Sequence, residues 1–102
     1  MANKMKTITI STTHQLHDAM GYVSDECKMS LSRIVREALN KADISDITKN
    51  NANLSSDGFY RTVINVSDVD ETTITRLCNA SKLSRSAVIR AAVTVYLQTL
   101  DL

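Results

Sequence analysis

Long apolar runs are missing from this chain. No stretch approaches the roughly 18 residues that a membrane span requires, and the first residues carry no apolar signal-peptide core. Together these absences predict a soluble cytoplasmic protein. Aromatic residues are scarce as well: three Tyr, one Phe and no Trp among 102 residues, so one modest core must be built from aliphatic and Met side chains. The two cysteines, Cys27 and Cys78, stand far apart and outside any CxxC spacing, which argues against a disulfide framework and against zinc. They are expected as small buried apolar groups. No phosphate loop, nucleophile elbow or convergent catalytic set occurs, so neither catalysis nor a cofactor is expected. An excess of one charge is also lacking, since 12 Lys and Arg face 11 Asp and Glu for a net charge of +1. Residues 1–43 and 61–102 are each weakly basic and 44–60 weakly acidic. Phosphate binding would therefore require the basic groups to converge on one face.

What the chain does have is a phrase that occurs twice. Lys28 to Ala38 reads KMSLSRIVREA, and 54 positions later Lys82 to Ala92 reads KLSRSAVIRAA. The shared pattern is K, an apolar residue, S, x, S, x, two branched aliphatics, R, x, A. A strand-like and a helix-like segment precede each copy at the same spacing, so the chain reads as one small unit duplicated. A unit of about 40 residues is below the size that usually folds alone, and the halves are expected to fold against each other.

In residues 1–43, KTITIST from Lys6 to Thr12 alternates with a period of two, which predicts a strand with Ile8 and Ile10 on one face and Thr7, Thr9 and Ser11 on the other. Thr13 is placed to cap a helix whose apolar side is Leu16, Met20, Val23 and Cys27, and Gly21 weakens it. Ser30 is placed to cap a second helix running to about Lys41, with Ile34, Val35, Ala38 and Leu39 as its buried stripe. Residues 61–102 repeat the order. In RTVINVS, Thr62, Ile64 and Val66 share one face and Arg61, Val63 and Asn65 the other. Ser67 opens a helix with Asp70 three residues later, close to a capping box, and Ile74, Leu77 and Cys78 supply its apolar side. Ser84 caps the last helix, which is apolar through Ala87, Val88, Ile89, Ala92, Val93, Tyr96, Leu97 and Leu100. That is more than one buried stripe needs, and it predicts contact with a second copy. Residues 44–60, rich in Asn, Ser and Asp and containing Gly58, read as an exposed polar connector.

A short strand followed by two helices, with S-x-S-x-[IV]-[VI]-R-x-A opening the second helix, resembles the ribbon-helix-helix DNA-binding family that includes the Arc and MetJ repressors. The resemblance covers nearly the whole chain apart from the connector. It implies a mainly α fold with a short two-stranded antiparallel ribbon, in which tandem ribbon-helix-helix units form an intramolecular pseudo-dimer. In that family the ribbon enters the major groove of double-stranded DNA and its outward side chains read base edges. The matching readers are Thr7, Thr9 and Ser11 from the first strand and Arg61, Val63 and Asn65 from the second. Phosphates are held at the N-terminus of the second helix, which matches Ser30 and Leu31, and Ser84 and Arg85, and Lys6 at the start of the first strand is counted with them. The two unlike copies are similar to the layout of TraY-like conjugation accessory proteins and imply an asymmetric site. With few strong readers, cooperative assembly of several molecules on DNA is expected.

The remaining chemistry-bearing residues have plainer readings. Arg36 and Arg90 are expected to cover core edges with their stems and to pair their heads with carboxylates or helix ends, phosphate contact being the alternative. His14 and His17 lack a third ligand and read as solvated. Asp68, Asp70 and Glu71 suit the first turn of a helix. The function expected is a repressor-type regulator on a plasmid, phage or bacterial chromosome. The alternatives are an accessory factor of conjugative transfer and an antitoxin-like protein-binding module. Strand pairing within one chain and swapping between two are both open at this stage.

Overall fold

The computed structural model describes residues 5–49 and 59–100. The element order is β1 (Met5–Thr13), α1 (His14–Cys27), α2 (Leu31–Lys41), α3 (Ile44–Lys49), β2 (Phe59–Ser67), α4 (Asp68–Ser81) and α5 (Arg85–Thr99). The fold is mainly helical, with a two-stranded antiparallel sheet formed by β1 and β2 of the same chain. The repeat offset recurs in the elements, because β2, α4 and α5 each begin 54 residues after β1, α1 and α2.

Local chemistry sets these boundaries. The Oγ1 of Thr13 accepts from the Leu16 N–H at 3.1 Å and opens α1. Ser67 opens α4 with a full capping box: its Oγ accepts from the Asp70 N–H, while the Asp70 carboxylate accepts from the Ser67 N–H. Ser30 and Ser84 cap α2 and α5 through the hydroxyl alone, accepting from the Arg33 and Ala87 amides at 3.1 and 3.2 Å. Helices α1 and α4 both end on a lysine in the left-handed region, Lys28 at φ 56° and Lys82 at φ 64°. Non-glycine residues adopt that conformation at some cost, and here the backbone N–H of each lysine returns to the carbonyl four residues earlier. The lysine that begins each copy of the repeated phrase is thus the hinge between two helices.

The core lies between the inner face of the ribbon and the helices. Ile10, Ile64 and Val66 from the strands meet Met20 and Val23 of α1, Ile34, Val35, Ala38 and Leu39 of α2, Ile74 and Leu77 of α4, and Val88, Ile89 and Val93 of α5. Helix α2 packs chiefly against α5. Thr12 and Thr62 are also buried on this face, with hydroxyls 3.3 Å apart. That pairing satisfies two polar groups that would otherwise destabilise the core.

Three expectations need correction. Residues 44–60 are not uniformly an exposed connector: α3 occupies Ile44–Lys49, its Ile47 is fully buried, and β2 begins at Phe59 rather than Arg61. Residues 50–58, including Gly58, lie outside the described residues. The apolar excess of α5 is not left for a second copy either, because α3 packs on α5 and Ala91, Ala92 and Tyr96 are buried within the chain. Polar composition hid α3 since, among its described side chains, Ile47 alone is buried. Lastly, Cys27 and Cys78 are free and half-buried rather than fully buried. Burial still pushes the Cys78 thiol above its ordinary pKa, with Arg85 opposing that rise.

Candidate nucleic-acid interface

Antiparallel pairing brings all six expected readers to one face of the ribbon. The register sets Thr7 opposite Asn65, Thr9 opposite Val63 and Ser11 opposite Arg61. Because directly opposed residues project to the same side of a sheet, these three pairs form one outward surface. Five of the six are exposed and Ser11 is half-buried. The Thr7 hydroxyl donates to Asn65 Oδ1 at 3.1 Å, holding the amide across the ribbon. At the centre, Val63 is 61% exposed, a large apolar side chain on a surface that the core does not use. Thr9 and Val63 are also counterparts at the 54-residue offset, so the middle of the register falls on one equivalent pair.

A strand at the edge of a sheet leaves every second backbone amide without a partner. Here serines of the helices fill two of these positions. The Asn65 N–H donates to Ser32 Oγ at 2.9 Å, and the Ser11 N–H donates to Ser86 Oγ at 3.2 Å. Ser32 and Ser86 are the second serines of the repeated S-x-S, and Ser11 and Asn65 stand at the same offset. Each serine therefore reaches from the helix of one half to the strand of the other. In the sequence the first serine of each pair signals a helix cap, while the second leaves its recurrence at the same offset as the trace of its role. The consequence is geometric: the N-terminus of α2 abuts β2, and that of α5 abuts β1. Ser30, Ser84 and Arg85 are exposed there and Leu31 is half-buried. The first amides of an α-helix have no intrahelical acceptor, so both edges of the ribbon carry free N–H donors at the positive ends of helix dipoles.

The arginines of the repeat diverge. Arg36 Nε lies 3.2 Å from Asp70 Oδ2, joining α2 to the capping box of α4, which is the carboxylate pairing expected of it. Arg90 Nη1 donates to the Ser11 carbonyl at 2.7 Å and so ties α5 to β1. Its burial pulls the guanidinium below the ordinary pKa. Lys6 does not share the face of Thr7, since it sits opposite Val66. Its ammonium lies 3.3 Å from Glu71 Oε2, and Arg85 Nη2 pairs with the other oxygen of that carboxylate.

At the opposite end of the ribbon the histidines are more engaged than expected. His14 Nδ1 is 2.8 Å from the Tyr60 hydroxyl, His14 Nε2 is 3.3 Å from Asp18, and His17 stacks on the Tyr60 ring at 4.7 Å. Among the described residues no group of three or more His, Cys, Asp or Glu is placed to hold a metal ion. Among them, too, no helix is long and apolar enough to cross a membrane. The chain matches no protein-family model, no curated protein and no solved structure.

Proposed function

We propose that the chain is a tandem ribbon-helix-helix protein folded as an intramolecular pseudo-dimer, which binds double-stranded DNA through its ribbon and acts as a repressor-type regulator. The observation that carries this reading is the flanking of one outward ribbon face by two helix N-termini, fixed there by the Ser32 and Ser86 bonds to opposite strands. A two-stranded ribbon fits the major groove, and helix N-termini beside it meet the phosphates on either wall. The pseudo-dimer is supported by the common offset of strands and helices, by the Thr9–Val63 pair at the centre of the register, and by the serine bonds that exchange between halves.

The two strands would read unlike half-sites. Arg61 reaches guanine O6 and N7. Asn65 brackets adenine N6 and N7, its Oδ1 retaining a lone pair beyond the one that Thr7 uses. Val63 and the methyl of Thr9 contact thymine methyls, while Thr7 and Ser11 add short hydrogen bonds. Ser30, Leu31, Ser84, Arg85 and Lys6 hold backbone phosphates. At about 1–3 kcal/mol for each bidentate contact, the few strong readers favour cooperative assembly of several molecules on one site.

The test is selection of bound sequences from random duplex DNA, followed by titration of the best binder with the chain, with Arg61→Ala, with Asn65→Ala and with the double variant. Enrichment of a short motif, with each single substitution weakening binding by at least about 1 kcal/mol at unchanged melting temperature, is the expected result. Affinity unchanged in both single variants overturns the assignment.

A further inference from the structure

Two cations from different elements converge on one carboxylate at one end of the ribbon. Lys6 of β1 and Arg85 of α5 each take one oxygen of Glu71, which stands in the first turn of α4. Both cationic side chains are more than half exposed, at 57% and 52%, whereas Glu71 is only 20% exposed. The carboxylate is thus held while the cations remain open to solvent, and the positive end of α4 favours its charge. Lys6 and Arg85 are also phosphate-contacting positions in the reading above, on which this inference rests.

We propose that Glu71 is an internal stand-in for a DNA phosphate, occupying the shared donors of Lys6 and Arg85 so that this end of the ribbon grips the backbone only when a phosphate displaces it. A carboxylate and a phosphate oxygen use the same ammonium and guanidinium donors, so each contact with DNA costs the protein an existing ion pair. Sequence-independent attraction is reduced while the outward face of the ribbon is untouched. Glu71 is in this sense a specificity-determining residue. The device is confined to one end: the positions 54 residues from Lys6, Glu71 and Arg85 are Tyr60, His17 and Leu31, where a ring stack replaces the ion pairs.

The experiment compares the full chain with Glu71→Gln, Glu71→Ala and Asp68→Asn in titrations of a labelled random-sequence duplex over a range of NaCl concentrations, with melting temperatures recorded for each. Asp68 lies in the same helical turn but pairs with neither cation among the described residues. Both Glu71 variants are expected to bind several-fold more tightly at low salt, with a slope of log affinity against log salt steeper by about 1–2, as two freed cations imply. Asp68→Asn should move both quantities much less. Glu71 variants that fold yet bind no more tightly overturn the proposal, as does an Asp68→Asn effect of equal size, which would mark a general charge effect. Failure of the unsubstituted chain and of every variant to bind duplex DNA at low salt overturns the DNA-binding reading and this inference together, and is recognisable because the unsubstituted chain itself fails.

Discussion

Ser32 and Ser86 carry more structural weight than their size suggests. Each accepts from an edge amide of the other half, so replacing either by alanine removes a hydrogen bond without opening a large cavity. Ser32→Ala and Ser86→Ala should each destabilise the fold by about 0.5–1.5 kcal/mol, read as a fall in melting temperature. No change in either variant would mean that water replaces the hydroxyl without loss. Tyr96 gives a second residue-scale expectation. Burial first, and then the charge of Glu37, raise its phenol above the ordinary pKa. The folded state keeps the proton that the unfolded chain loses near pH 10, so the contribution is intact below that pH and is lost as pH rises through the higher folded value. Melting curves on either side of pH 10 should show alkaline destabilisation that Tyr96→Phe reduces. Equal destabilisation in the variant contradicts this. The capping serines and the outward positions of the two strands were legible in the sequence because capping and two-residue alternation are local. The contacts of Ser32, Ser86 and Glu71 were not, since each depends on what lies across the ribbon or on another helix.

At the scale of elements, the strands and the four longer helices follow from periodicity and capping. Helix α3 does not, because six residues with one buried isoleucine leave no periodic trace. Its partner surface is visible in the sequence from the other side, as the apolar excess of α5. Ile47 fills that surface, so Ile47→Ala should cost about 2–4 kcal/mol, in the range for truncation of a buried isoleucine. A loss below about 1 kcal/mol would show that α3 only rests on α5. Since α3 packs on α4 and α5, the DNA affinity proposed for the outward ribbon face should not change in this variant when measured well below the melting temperature. Element boundaries also explain the hinge lysines: the αL caps of Lys28 and Lys82 set each second helix against its predecessor.

At the scale of the whole molecule, the halves share one core and exchange hydrogen bonds, so neither strand has its edge satisfied without the other half's helix. The chain should unfold in one cooperative transition monitored by circular dichroism and by amide signals from both halves. Ile10→Lys or Ile64→Lys, placing a charge in the core beneath the ribbon, should abolish folding of both halves together. Survival of native amide signals in one half would contradict a shared core. The mainly helical fold with one two-stranded antiparallel sheet was legible in the sequence, whereas the end-to-end difference of the ribbon, ion pairs at one end and a tyrosine–histidine stack at the other, depends on the pairing of β1 with β2.

The proposed binding of DNA through the outward ribbon face is tested residue by residue by amide chemical-shift mapping with a selected duplex. The largest perturbations are expected at Thr7, Thr9, Ser11, Arg61, Val63 and Asn65, with a second group at Leu31, Ser32, Arg85 and Ser86 where the helix N-termini flank the ribbon. Perturbations confined to the outer faces of α1 and α4, with the ribbon silent, would contradict it.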